Sequence, residues 1–183
     1  MKKSPETSPV STRRITKPNA ELIPAIAAFI REGRTPDFIV RGFSMRPFLE
    51  HERDKVRIRA VGDRSVKRGD VVLAEIAPAT YVIHRVVSNE AGSLTLRGDG
   101  NVRGTETCRE ADVIGIVEGF YRKGRSVMEP VTGRKWRLYS ALWPASPLLR
   151  RLLLAFHRRI WLPLTHGRAQ DIPQENSNTQ EKI

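Results

Sequence analysis

The sequence predicts a mainly β protein: a small, coiled antiparallel sheet or partly open barrel, preceded by a short helix and followed by a basic amphipathic helix. Three observations predict it. From Asp37 onward apolar residues recur with a period of two, as they do when one face of a strand is buried. Turn residues interrupt that pattern at Arg68-Gly69-Asp70, Ala91-Gly92 and Gly98-Asp99-Gly100, a spacing that suits short strands in a strongly coiled sheet. On either side of this region the apolar period lengthens to that of a helix. At 183 residues, with 39% hydrophobic and 28% charged side chains, the chain fits one globular domain with a core of its own.

Residues 1–18 are rich in Ser, Thr, Pro and Lys with no apolar run, so a disordered tail is expected there. A short helix is predicted over residues 19–34. Asn19 serves as N-cap, Glu21 lies in the first turn, Leu22, Ile26, Phe29 and Ile30 share a face, and Gly33 ends the pattern. The apolar stretch from Leu22 to Ile30 is short and contains Pro24, so neither a secretory signal nor a transmembrane helix is expected. Strands are predicted at Phe38–Val40, Lys55–Ala60, Asp70–Ile76, Tyr81–Val87, Ser93–Arg97 and Val113–Tyr121. Val56, Ile58 and Ala60 should face inward while Lys55, Arg57 and Arg59 face water. These strands make residues 36–121 the central domain. Cys108 is the single cysteine, which excludes an internal disulfide and a thiolate metal cluster; a buried apolar thiol is expected.

Residues 122–168 form a helical extension, and residues 169–183 a second disordered tail. The net charge of +12 is unevenly spread: +4 over residues 1–35, zero over 36–121, +10 over 122–168 and −2 over the last fifteen. All three tryptophans, Trp136, Trp143 and Trp161, fall in the extension. Between Pro147 and Pro163, Leu149, Leu152, Leu153, Phe156 and Ile160 follow helical spacing, with the seven-apart pairs Arg150/His157 and Arg151/Arg158 on the other side. Such a helix suits the surface of an anionic membrane, or else docking on its own domain or a partner. The arginines forbid a membrane span. Peripheral contact with an anionic membrane is therefore an expected partnership, nucleic acid is not, and the expected location is cytoplasmic or peripherally membrane-associated.

The candidate site centres on Arg41-Gly42-Phe43-Ser44-Met45-Arg46-Pro47-Phe48-Leu49. Gly42 and Pro47 bend the backbone around Ser44, either as a plain turn between strands or as a means of aiming a hydroxyl outward. A serine nucleophile needs a base, and the base an orienting group. Of the four histidines, His157 and His166 lie in the basic extension and His51 in the charged run Glu50-His51-Glu52-Arg53-Asp54, where a solvated side chain is expected. His84 remains, in the apolar stretch Tyr81-Val82-Ile83-His84-Arg85-Val86-Val87, as a structural histidine or a base.

Taken in order, Gly42-Phe43-Ser44-Met45-Arg46-Pro47, Gly69-Asp70-Val71-Val72, His84-Arg85-Val86-Val87, Gly98-Asp99-Gly100-Asn101 and Val113-Ile114-Gly115-Ile116-Val117 resemble the successive boxes of the type I signal peptidases and their relatives among the S24/S26 serine peptidases. The resemblance covers residues 36–121 and is to the histidine type, found in archaeal and endoplasmic-reticulum signal peptidases, because His84 stands where most bacterial members carry lysine. It implies a serine endopeptidase cleaving a precursor or a signal or leader peptide, without metal or cofactor. Ser44 would be the nucleophile, His84 the general base, and the Ser44 backbone N–H part of an oxyanion hole. Gly42, Met45 and Pro47 would bind substrate, with small side chains preferred before the cut.

In that family an aspartate beyond the Gly-Asp box orients the histidine, whereas this chain reads Val102-Arg103-Gly104-Thr105-Glu106. Asp99 is the first candidate for the role, since its flanking glycines let its loop approach His84; Glu106 and Asp112 follow. The self-cleaving repressors of the same broad family carry a DNA-binding helix-turn-helix, for which residues 1–35 are too short and proline-broken. The alternative class is a non-catalytic or degraded peptidase-fold module that binds membrane or nucleic acid through the basic extension.

Overall fold

The computed structural model describes residues 19–166, and the two tails expected to be disordered, 1–18 and 169–183, lie outside the described residues. Helix α1 (Asn19–Arg31) ends where Arg34 N–H reaches the Phe29 carbonyl and Gly33 N–H that of Ile30. Its buried face is Ile23, Ile26 and Ile30, offset from the expected stripe. Phe29 is instead exposed, with the Arg34 guanidinium 3.9 Å from its ring centre, and Leu22 packs at the margin. The offset follows from what lies beneath. Ile30 seats over Gly115, where a Cβ would come within 3.2 Å of its Cδ1, so the sheet offers that isoleucine a hollow.

Strands β1 (Asp37–Ile39), β2 (Lys55–Arg59), β3 (Val71–Ala77), β4 (Thr80–Glu90), β5 (Ser93–Arg97), β6 (Glu106–Arg109), β7 (Val113–Tyr121) and β8 (Glu129–Pro130) form one antiparallel sheet. The order is β1-β2-β7-β3-β4-β5-β6, with β8 pairing β7. The sheet is open, ending at β1 and β6. Register shifts in β2, β3 and β4 coil it. Strands β6 and β8 are additions to the expected set. Ala60 is exposed rather than inward, because β2 has ended at Arg59.

Alternation sends successive residues to opposite faces, so the sheet carries two cores. On one side Val56, Ile58, Val71, Leu73, Val117 and Phe120 pack with α1. On the other Val66, Val72, Ala74, Val86, Leu94, Leu96 and Ile116 pack together. Cys108 is half-buried against this second core, and burial pushes its thiol pKa up.

After β8 the chain forms α2 (Arg134–Leu142), α3 (Pro147–Phe156), a π turn (His157–Trp161) and α4 (Leu162–His166). Trp136 of α2 is buried in the first core, where its ring lies 4.5 Å from Phe48 and 5.1 Å from Phe120. Of the three tryptophans only Trp161 is exposed, so the first two belong to the fold. Helix α3 meets the domain with a polar residue: Arg150 is 5% exposed, whereas Leu148, Leu149, Leu152, Leu153 and Phe156 all face solvent. The helix is thus docked by its polar side and leaves its apolar side outward.

Candidate active site

Ser44 stands on a turn fastened from below. Gly42 has φ +99° and its N–H donates to His51 Nδ1 at 3.0 Å, so His51 supports the turn rather than standing free in solvent. A side chain at that φ would be strained. Arg46 N–H bonds the Phe43 carbonyl and Leu49 N–H the Met45 carbonyl, while the Met45 and Leu49 side chains are buried in the first core. Beneath them lies an ionic layer. Glu50 accepts from Arg46 Nε at 2.8 Å, and Asp54, fully buried, accepts from Arg53, from Arg122 at 2.8 Å and from Glu50 N–H at 3.0 Å. Burial alone would raise the Asp54 carboxyl, yet the Arg53 hydrogen bonds, the Glu50 N–H and Arg122 outweigh it and hold the group below the usual range. Ser44 itself is half-buried. Among the described residues, neither its Oγ nor its backbone N–H makes a hydrogen bond within the chain.

His84 is placed by strand register. It lies opposite Val72 in the β3–β4 pair, on the same face as Val86 two residues on. Val86 faces Leu96, and Leu96 faces Glu106 in turn. That row brings the Glu106 carboxylate to His84, with Oε2 at 2.9 Å from Nδ1. A carboxylate only accepts, so Nδ1 carries the proton and Nε2 keeps its lone pair. The imidazole is 3% exposed. Burial lowers its pKa, and the charges of Glu106 and Asp99 only partly offset this, so the ring is neutral at a pH where an open histidine begins to charge.

The loop between β5 and β6 joins the two halves. Gly100 N–H donates to the Ser44 carbonyl at 2.6 Å. A Cβ on Gly98 would lie 3.0 Å from His84 Nε2 and 3.0 Å from Ser44 Cβ. Ser44 Cβ and His84 Nε2 are therefore no further apart than twice that distance, with only a glycine between them. A Cβ on Gly100 would come within 2.7 Å of the Phe43 carbonyl, so both glycines permit close approach of the loop to the turn.

Asp99 goes elsewhere. Its carboxylate takes Arg85 Nε and Nη2 at 2.9 and 2.7 Å and the Tyr139 hydroxyl at 3.0 Å, fully buried. Burial pushes the Tyr139 hydroxyl pKa far up, with Asp99 adding to the effect. The expectation that Asp99 orients His84 gives way to Glu106. The reason is the pleat: His84 and Arg85 are neighbours on opposite faces, and the loop delivers Asp99 to the Arg85 side. Asp112, the third candidate, pairs with Arg109 at 3.0 Å.

Of the expected substrate-binding residues, Gly42 is exposed, Pro47 is half-buried and Met45 is 2% exposed in the core. Sequence reasoning missed Arg150. Its Nη1 reaches the Gly98 carbonyl at 3.1 Å, and no local pattern announces so distant a contact. A surface hollow of about 550 Å³, lined by Glu75, Ile76, Pro78, Thr107, Cys108 and Asp112, contains neither Ser44 nor His84.

No protein-family model matches the chain, and no curated protein matches its sequence.

Proposed function

We propose that the chain is a serine endopeptidase of signal peptidase-like fold that cleaves a precursor or a signal or leader peptide. The observation that carries this reading is the buried His84, protonated towards Glu106 and open at Nε2 across Gly98 from Ser44. Ser44 Oγ attacks the scissile carbonyl carbon as Nε2 takes its proton, and Glu106 steadies the imidazolium that forms. The oxyanion is received by the Ser44 backbone N–H; losing one donor from an oxyanion hole costs about 3 kcal/mol where it has been removed by substitution. As the tetrahedral adduct collapses, His84 returns the proton to the leaving amine. Water then hydrolyses the acyl-enzyme by the same route. Ser44 and His84 are not hydrogen-bonded to each other, and such contacts commonly tighten only in the productive complex. Met45, beneath the nucleophile, favours a shallow site and small side chains before the cut.

The test joins a fluorophosphonate probe with a peptide library. Ser44 should be the labelled residue by intact mass and peptide mapping, and Ser44→Ala and His84→Ala should each abolish both labelling and cleavage. Cleavage that persists in either variant sinks the dyad.

A second reading concerns partners. The outward Leu148, Leu149, Leu152 and Phe156 beside the exposed Arg151 and Arg158 favour peripheral contact with an anionic bilayer, in which apolar residues enter the interface and arginines meet headgroups. Co-sedimentation with phosphatidylglycerol-containing vesicles, but not with pure phosphatidylcholine, is the expected result. Equal indifference to both would remove this reading, and salt-sensitive binding to DNA that Ser44→Ala leaves unchanged would favour the non-catalytic module instead.

A further inference from the structure

Helix α3 presents most of its surface to solvent, so the burial of Arg150 is not a by-product of helix packing. The guanidinium itself is what docks. Burying a cation is costly unless its donors are satisfied, and here the donors converge on one short piece of chain. Nη1 reaches the carbonyls of Gly98 at 3.1 Å, Asp99 at 3.4 Å and Asn101 at 3.1 Å, while Nε bonds the Pro144 carbonyl at 3.2 Å. The Trp143 ring lies 5.6 Å from its central carbon. Burial pulls the guanidinium pKa below its ordinary value, against the opposing charge of Asp99.

The gripped segment is the loop between Ser44 and His84, where Gly98 separates the two and Gly100 holds the Ser44 carbonyl. Two turns further along the same helical stretch, His157 Nε2 lies 3.5 Å from Glu50 Oε1, and Glu50 holds Arg46 of the Ser44 turn. One helical arm thus touches both walls of the site, the loop through Arg150 and the nucleophile turn through Glu50.

Building on the peptidase reading, we propose that Arg150 is a positioning residue: by gripping the carbonyls of Gly98, Asp99 and Asn101 it fixes the loop that spaces Ser44 from His84. The C-terminal helix is then a clamp that completes the active site from outside the sheet. Lysine cannot replace it fully, since a single ammonium point cannot span Pro144 on one side and the loop carbonyls on the other.

The test compares full-length wild-type protein, Arg150→Met and Arg150→Lys by amide hydrogen exchange and by kinetics on a cleaved peptide. In Arg150→Met, exchange at Gly100 and Asn101 should quicken about tenfold or more while Val86 and Leu96 in the sheet keep their protection. The kcat should fall about a hundredfold with KM nearly unchanged, because the loss is of alignment rather than binding. The acid limb of the pH profile should also move up. His84 bonds Glu106 and feels the charge of Asp99 from the opposite face, where Arg85 and Tyr139 hold that carboxylate and Arg150 meets its backbone carbonyl; loosening the loop admits water and relieves the burial that depresses the imidazole. Arg150→Lys should recover part of both losses. Unchanged Gly100 exchange with unchanged kcat overturns the proposal. So does loss of protection spread evenly across the sheet, which would mark Arg150 as general support. If the wild type cleaves nothing while Arg150→Met loosens only residues 98–101, the peptidase reading falls and the clamp stands.

Discussion

Two carboxylates lie close to strand β4, and their surroundings give them different work. Glu106 is about a quarter exposed and bonds a neutral ring, whereas Asp99, itself in the loop that Arg150 grips, is sealed against Arg85 and Tyr139. Glu106→Gln should therefore leave the thermal midpoint almost unchanged and lower kcat by about 10²–10⁴-fold, since the amide supports the wrong tautomer. Asp99→Asn should do the reverse in emphasis. It strips the counter-charge from Arg85, whose side chain is only 13% exposed, and a chemical denaturation curve should show a loss of about 3 kcal/mol. The imidazole gives a pH prediction with a definite sign. Burial holds the folded pKa of His84 below the unfolded value of about 6.5, so the base form persists into mildly acidic buffer. Activity should remain level through neutrality and fall only below about 6.5, and a limb centred above that value would contradict the buried, neutral ring.

At the scale of elements, the loop from Gly98 to Asn101 and the turn around Ser44 act as one unit because backbone meets backbone. Gly98→Ala puts a methyl against the Ser44 carbonyl and 3.0 Å from His84 Nε2. Loop and turn must then part, and cleavage should drop at least about a hundredfold while the sheet's circular dichroism is unchanged. A retained rate would mean that the loop does not space the pair. The glycine-bracketed loop and turn were legible in sequence, and so were six of the strands. Strand β6 was not, although Glu106 and Cys108 point inward and Thr107 and Arg109 outward. Its four residues contain no pair of large apolar side chains, and its pairing with β5 is a long-range choice. The same holds for α1, whose sequence offers overlapping apolar stripes and leaves the hollow above Gly115 to select Ile23, Ile26 and Ile30.

For the whole molecule, the ionic layer under the Ser44 turn ties distant segments together. Asp54 joins the Ser44 turn to Arg122 beyond β7, and Arg122 also donates to the Phe48 carbonyl. Asp54 has its folded pKa depressed below the unfolded value of about 3.9, so its contribution is complete above that pH and is lost as pH falls through the lower native value. Urea midpoints should accordingly hold from neutrality down to about pH 4 and then fall, and Asp54→Asn should lower them at neutral pH and flatten the acid decline. The helical arm contributes on a different axis. None of the helices among the described residues is long and apolar enough to cross a membrane, yet α3 turns large apolar side chains outward next to arginines. Substituting Leu149 and Leu152 with serine should reduce binding to anionic vesicles without altering the melting temperature, because neither side chain is buried in the fold.

What the sequence determined by itself was local: period-two runs that set most strands, glycines that allow close approach, and the neutral middle segment holding Ser44 and His84 between basic flanks. Those signals are written in neighbouring residues, where backbone sterics and burial act directly. Tertiary structure alone decided which carboxylate meets His84, because the register across β4, β5 and β6 selects Glu106 and the pleat sends Asp99 to Arg85. It also decided which side of the C-terminal helix faces inward. Amphipathic spacing marks two faces without saying which will dock, and a loop presenting three carbonyls to one arginine drew in the polar one.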